Sequence, residues 1–253
     1  MTMKPVLLCL IFFFFISEPG LTPAFGQTSQ IQVDTNAVEF IVRAVVKKTK
    51  ENDKIKKEKL SYKRVYTVDN LNDNGQIADR KKEEVAAIEQ GGKERTIEKN
   101  GKPVKQGKVS VPKFDLIKAL EAMVKLDDFN VAKIETLEER PCYVINFKPN
   151  PEQKANGDVE EVIIRSEGVM YVDIEKFYIK QFSAWMVRPY SRGGILGWNI
   201  FSLTQANIEM SQEEFNDIVI MKSVLITNKY SLFGSDTFEK QMYLYKDYQQ
   251  GQE

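Results

Sequence analysis

The chain contains no histidine. That absence excludes a Ser-His-Asp triad, a Cys-His nucleophile pair, a histidine general base and every histidine-ligated metal site. Cysteine is nearly as scarce, with Cys9 and Cys142 alone. Cys9 falls inside an apolar leader, so the mature chain would keep Cys142 only. One cysteine forms no internal disulfide and no Cys-rich zinc site, and an exported protein of this kind relies on its core. Cys142 sits in Pro-Cys-Tyr-Val-Ile-Asn-Phe, which reads as a strand. It is expected as a small buried residue and not as a reactive thiol. Neither a GxGxxG fingerprint nor a Walker loop is present, and no cofactor is expected.

Excess charge is also missing. Lys and Arg total 36 and Asp and Glu total 36. A neutral chain gains no general attraction to nucleic acid, so none is expected as a partner. One local exception is Lys47 to Arg64, with nine basic and three acidic residues. It reads as a solvated helix end running into a strand, although contact with an anionic surface is the sharper alternative.

Carboxylates are the remaining catalytic currency. Glu83-Glu84, Asp127-Asp128, Glu138-Glu139, Glu160-Glu161 and Glu213-Glu214 are all sequence neighbours. Neighbours on a strand point to opposite faces, so such pairs do not converge on one bond. Glu138-Glu139 is expected at a hairpin tip and Glu213-Glu214 in a polar turn. Asn70-x-Asn72-x-Asn74-Gly75 imitates an EF-hand start, yet it lacks the leading Asp and has Lys81 where a bidentate Glu is needed. The chain is not expected to be an enzyme.

What is present begins with the leader. Lys4 precedes the apolar run Val6 to Ile16, which Pro19-Gly20 breaks. The run has the length of a signal-peptide core and is too short to span a bilayer. Ala24-Phe25-Gly26 offers small residues to a signal peptidase, so residues 1–26 are expected as a cleaved signal peptide. Leu8 precedes Cys9 where a lipobox needs a small residue, which argues against a lipoprotein. Residues 27–253 are then one exported, periplasmic domain, and no later stretch approaches the ~20 apolar residues of a membrane span.

Val38, Ile41, Val42 and Val45 form one helical stripe, with Asp34 or Thr35 as cap. Alternating strands follow from Leu60, with hairpin signals at Asn74-Gly75 (type I′) and Asn100-Gly101. Ser110 and Pro112 are expected to open a second helix whose buried face is Leu116, Ile117, Leu120, Met123 and Val124. Strands then resume, including one at Val159 to Arg165, and the segment Pro189 to Gly197, with three glycines around Ile195-Leu196, is expected to be mobile. The late strands are apolar on both faces: Tyr243 and Tyr245 point one way, Met242 and Leu244 the other. A half-exposed sheet would be apolar on one face only, so the second face requires a further layer or a ligand cavity. The fold class is α+β, mainly antiparallel β, with two or so helices packed on it.

Trp185, Met186, Ile195, Leu196 and Trp198 are the most ligand-like apolar group. They flank the glycine-rich segment, where a flap over an apolar cavity would lie. Tyr243 and Tyr245 join them as cavity-lining candidates. For each residue taken alone, ordinary core is the competing reading.

The order of elements and three strand motifs resemble a known family. These are Pro141-Cys142-Tyr143-Val144-Ile145-Asn146-Phe147-Lys148-Pro149, Met170-Tyr171-Val172-Asp173, and Phe177-Tyr178-Ile179 ahead of Gly193-Gly194-Ile195-Leu196. The chain resembles the LolA-like outer-membrane lipoprotein-sorting superfamily. The resemblance implies a curved, incomplete antiparallel β-barrel with helices across its mouth. It further implies a periplasmic carrier whose interior takes acyl chains of lipids or lipoproteins. Relatives with this fold also serve as envelope sensors, so envelope proteins are the alternative partners.

Overall fold

The computed structural model describes residues 35–107, 114–193 and 199–251. The leader, Ser110, Pro112, Ile195, Leu196 and Trp198 lie outside the described residues. Helix α1 is Thr35–Lys59. A meander follows, comprising β1 (Leu60–Leu71), β2 (Ile77–Ile88), β3 (Glu94–Lys99) and β4 (Lys102–Gly107). Helix α2 is Leu116–Leu126, leading into β5 (Asp127–Leu137) and β6 (Arg140–Pro149). Helix α3 (Asp158–Ile163) precedes β7 (Ser166–Asp173), β8 (Ile179–Met186) and the short β9 (Tyr190–Gly193). The chain closes with three long strands, β10 (Asn199–Phe215), β11 (Ile218–Leu232) and β12 (Ser235–Gln250).

All the strands join one antiparallel sheet, ordered β4-β3-β2-β1-β12-β11-β10-β8-β7-β6-β5, with β9 paired to β10 beyond β8. The two ends, β4 and β5, do not meet, so the sheet is an open, incomplete barrel. Its inner face can be read straight across the registers. Val131, Ile145, Met170, Phe182, Met210, Val224, Tyr243 and Tyr66 are successive cross-strand partners, ending on Glu84. Every member of this row is buried. Directly opposed side chains are close enough to pack, which makes such a row the unit of sheet stability.

The helices cover this inner face. In α1, Val38, Ile41, Val42 and Val45 are buried and join the core with Leu116, Leu120 and Met123 of α2. The amide of Asn52 ties α1 down further. It donates to the Val219 carbonyl at 2.5 Å and accepts from the Val219 N–H at 3.0 Å. The outer face has no second layer among the described residues. Leu225, Met242 and Leu244 are half-buried there, shielding one another across the strands.

Three expectations are corrected. Residues from Val159 form a helix and not a strand. Asp158, Glu160 and Glu161 fall in its first turn, where the helix dipole favours acids, and Val159, Val162 and Ile163 share one face. Glu213-Glu214 lies within strand β10 and not in a turn. The Asn74-Gly75 hairpin is not type I′, because only Gly75 has positive φ, 75°. The Asn72 side chain takes over instead, accepting from the N–H groups of Asn74 and Gln76 at 3.0 Å each. Two consecutive positive φ angles occur at Asn100-Gly101, Glu138-Glu139, Asn216-Asp217 and Phe233-Gly234. That is the backbone of a two-residue primed turn.

Helix α2 starts where Asp115 caps it, its carboxylate accepting from the Lys118 N–H at 3.0 Å. Asp115→Ala is expected to cost about 1 kcal/mol, read as a lower urea midpoint with an unchanged slope.

Candidate functional site

The inner face divides into two halves of different chemistry. The half built on β1 to β4 is polar and carries buried ion pairs. Arg64 meets Glu94 at 2.5 Å with both side chains buried, and Glu84 accepts from the Thr96 hydroxyl at 2.5 Å beside Lys82. The half between β5 and β10 is apolar and is not filled by the described residues. It holds a cavity of about 900 Å³.

The cavity floor is sheet. Phe147 of β6, Phe182 and Ala184 of β8, and Leu203 and Ile208 of β10 face it. Phe147 and Phe182 are stacked with ring centroids 5.3 Å apart. The roof is helical, with Leu116, Ala119, Leu120 and Met123 from α2 and Val159, Val162 and Ile163 from α3. The two helices are joined by Lys125 and Glu160 at 3.1 Å. At the rim, Tyr190 and Arg192 of β9 both reach Asp158, at 2.9 Å and 3.1 Å. These rim groups are exposed, so the ion pair holds geometry more than it stabilises.

One group breaks the apolar lining. Asp127 stands where α2 turns into β5, is only 9% exposed, and lines the cavity. Its backbone N–H caps α2 through the Met123 carbonyl. Its cross-strand partner is Pro149, which has no N–H to offer. Neither carboxylate oxygen has a hydrogen-bond partner among the described residues. Burial pushes the Asp127 carboxyl up to about 7, and the neighbouring Asp128 charge adds to the effect.

The residues singled out from the sequence are spread over the sheet. Trp185 follows the cavity-lining Ala184 and therefore points to the opposite face. It is 41% exposed there, its indole N–H donating to Glu167 at 3.0 Å. Met186 is half-buried at the end of β8, paired with Ser166. Tyr243 and Tyr245 lie on the inner face but over the polar half. Tyr243 packs on Tyr66 with centroids 4.7 Å apart, and Tyr245 lines a second, mixed hollow of about 570 Å³ with Arg64 and Glu94. Burial pushes the Tyr245 hydroxyl up to about 12. Cys142 is fully buried and free, its thiol raised by burial.

Sequence reading missed Phe147, Phe182, Ala184 and Ile163 as lining. Alternation along β8 puts Phe182 and Ala184 on one face and Ser183 and Trp185 on the other, and the larger Trp185 drew the inward assignment to the wrong face. No group of His, Cys, Asp or Glu among the described residues is placed to hold a metal ion. No described helix is long and apolar enough to cross a membrane.

No family model and no curated protein matches the chain. Among solved structures it is similar to a putative outer membrane lipoprotein-sorting protein domain from Vibrio parahaemolyticus. That match has 9% identity and a TM-score of 0.32, and covers 83% of this chain and 93% of the other. It is also similar to a LolA superfamily protein from Nitrosomonas europaea, at 9% identity and a TM-score of 0.32, covering 83% and 92%. A DUF1329 family protein from Desulfovibrio piger is similar at 10% identity and a TM-score of 0.31, covering 83% and 92%.

Proposed function

We propose that this chain is an exported, periplasmic carrier that holds acyl chains of lipids or lipoproteins and catalyses nothing. The observation that carries the reading is the apolar cavity of about 900 Å³ between α2, α3 and the sheet. Small-molecule sites run from about 300 to 1,000 Å³, so this one lies near the upper end. Its walls are almost wholly carbon, and an apolar chain laid along them restores the dispersion contacts that an unfilled interior forgoes. The alternative, an envelope sensor of the same fold, calls for an interior filled by its own side chains. The unfilled half speaks for the carrier.

The test is uptake of the apolar fluorophore N-phenyl-1-naphthylamine by delipidated protein, followed by its displacement with palmitoyl compounds. Saturable uptake and displacement are expected. Ala184→Trp, which places an indole on the cavity floor, is expected to weaken binding at least tenfold. Ala119→Phe fills the same space from the roof and serves if the first variant folds poorly. Absence of saturable uptake, or full binding by both variants, would overturn the reading.

A further inference from the structure

We infer that the cavity selects acyl ligands whose polar end donates hydrogen bonds and is not anionic, and that the Asp127 carboxyl is the group that holds this end. The inference rests on the carrier reading and deepens it. Its basis is the position of Asp127 in the site. An isolated carboxyl in an apolar wall is disfavoured unless something pairs with it, because burying a polar group without a hydrogen bond is costly. Here Asp127 is part of the cavity lining, and both of its oxygens are buried without a partner among the described residues. Among the described residues the nearby sources of a partner are engaged or lack a donor. The strand neighbour is Pro149, and the Asn150 amide is already engaged with Asp128 at 2.8 Å. The rim cation Arg192 is held by Asp158.

A ligand can supply what the protein does not. An ammonium, hydroxyl or amide N–H at the end of an acyl chain would donate to Asp127 while the chain lies along Phe147, Phe182, Leu120 and Met123. A free fatty acid would bring a second carboxyl against the first, and two carboxylates sharing a dry site repel. Hydrogen bonds to a charged group are stronger than neutral ones, and selectivity by a buried polar group is sharp because the wrong ligand leaves it unpaired.

The experiment is displacement of bound N-phenyl-1-naphthylamine at pH 8 by three ligands of one chain length: hexadecylamine, monopalmitoylglycerol and palmitate. Hexadecylamine and the glycerol ester are expected to displace the probe at least tenfold more effectively than palmitate. In Asp127→Asn the advantage of the amine over palmitate is expected to fall below about threefold, with probe uptake intact. Glu135→Gln, which removes an exposed acid paired with Lys133 farther along β5 and outside the cavity lining, is expected to leave the preference as it was. Equal displacement by all three ligands, or a preference lost in Glu135→Gln and kept in Asp127→Asn, would overturn the inference and leave the carrier reading standing. Failure of every ligand to displace the probe would overturn both.

Discussion

Gly168→Ala is expected to destabilise the protein by about 3 kcal/mol or more, the upper range for overpacking a tight core. Gly168 lies on β7 between β6 and β8, opposite Phe147 and Ala184. A β-carbon there would overlap the Ser183 carbonyl oxygen, and would sit 2.5 Å from Phe147 Cζ and 2.9 Å from Ala184 Cα. Two of those obstacles are backbone of the neighbouring strand, so a side-chain rotation cannot clear them. The site adjoins the cavity floor through Phe147 and Ala184, and the strain falls where the carrier reading places the ligand. Urea unfolding should show a lower midpoint with an unchanged slope, and apolar probe uptake should fall with it. Gly193→Ala is the control: nothing lies within 4 Å of the added carbon, and its φ is not in the left-handed region. That variant is expected to change stability by less than about 1 kcal/mol, by restricting the unfolded chain. Equal effects from the two substitutions would mean that β7 does not pack as closely as the register implies.

Much of the fold is legible in the sequence because local signals agree with the tertiary result. The stripe from Val38 to Val45 is buried as its spacing requires. Tyr243 and Met242 take opposite faces because period-two alternation holds through β12. The failures have physical causes too. Residues 159–165 are rich in β-branched side chains, which favour strands, and the run of acids at its start reveals the helix only when weighed as a dipole effect. The hairpin at Asn72–Gly75 follows a side chain, because an Asn can accept from the backbone two residues on and replace a primed turn.

The site was harder to read than the fold. The two-sided apolarity of the late strands called for either a second layer or a cavity. The structure has one sheet with a cavity on the helix side, yet the strands that raised the question, β11 and β12, mostly face α1 and the polar half. The cavity is built from β6, β8, β10, α2 and α3, which meet only through the strand order. Trp185 drew attention by size and composition, while its small neighbour Ala184 holds the inward position. Large side chains are conspicuous in a sequence, but a cavity exists where side chains are small or absent. Asp127 was legible only as one of a pair of acids, since its burial depends on α2 ending at Leu126.

Between pH 5 and pH 8 the protein without ligand is expected to lose about 2–3 kcal/mol of stability on account of Asp127. The folded carboxyl ionises near 7 and the unfolded one near 3.9. Between these values the native state keeps a proton that the unfolded state has released. Stability must then fall as pH rises, by about 1.4 kcal/mol per pH unit, until the folded group ionises. Above pH 7 the full penalty of an unpaired, buried carboxylate applies. Below about pH 4 both states are protonated and the penalty vanishes. The charged groups in reach are Asp128, which acts in the same direction, and the Asp158–Arg192 pair at the rim. Urea unfolding of the wild type and of Asp127→Asn at the two pH values measures the effect. The amide carries no charge at either pH, so the variant's stability should change less with pH. The variant is expected to be no more stable than the wild type at pH 5 and more stable at pH 8. If the two proteins respond to pH in parallel, the Asp127 carboxylate is solvated or paired in solution, and the selectivity assigned to it loses its physical basis. If the curves cross as expected, hexadecylamine added at pH 8 should stabilise the wild type more than Asp127→Asn, which keeps the apolar contacts and loses the pairing. A ligand that pairs the carboxylate stabilises only the state in which that carboxylate is buried.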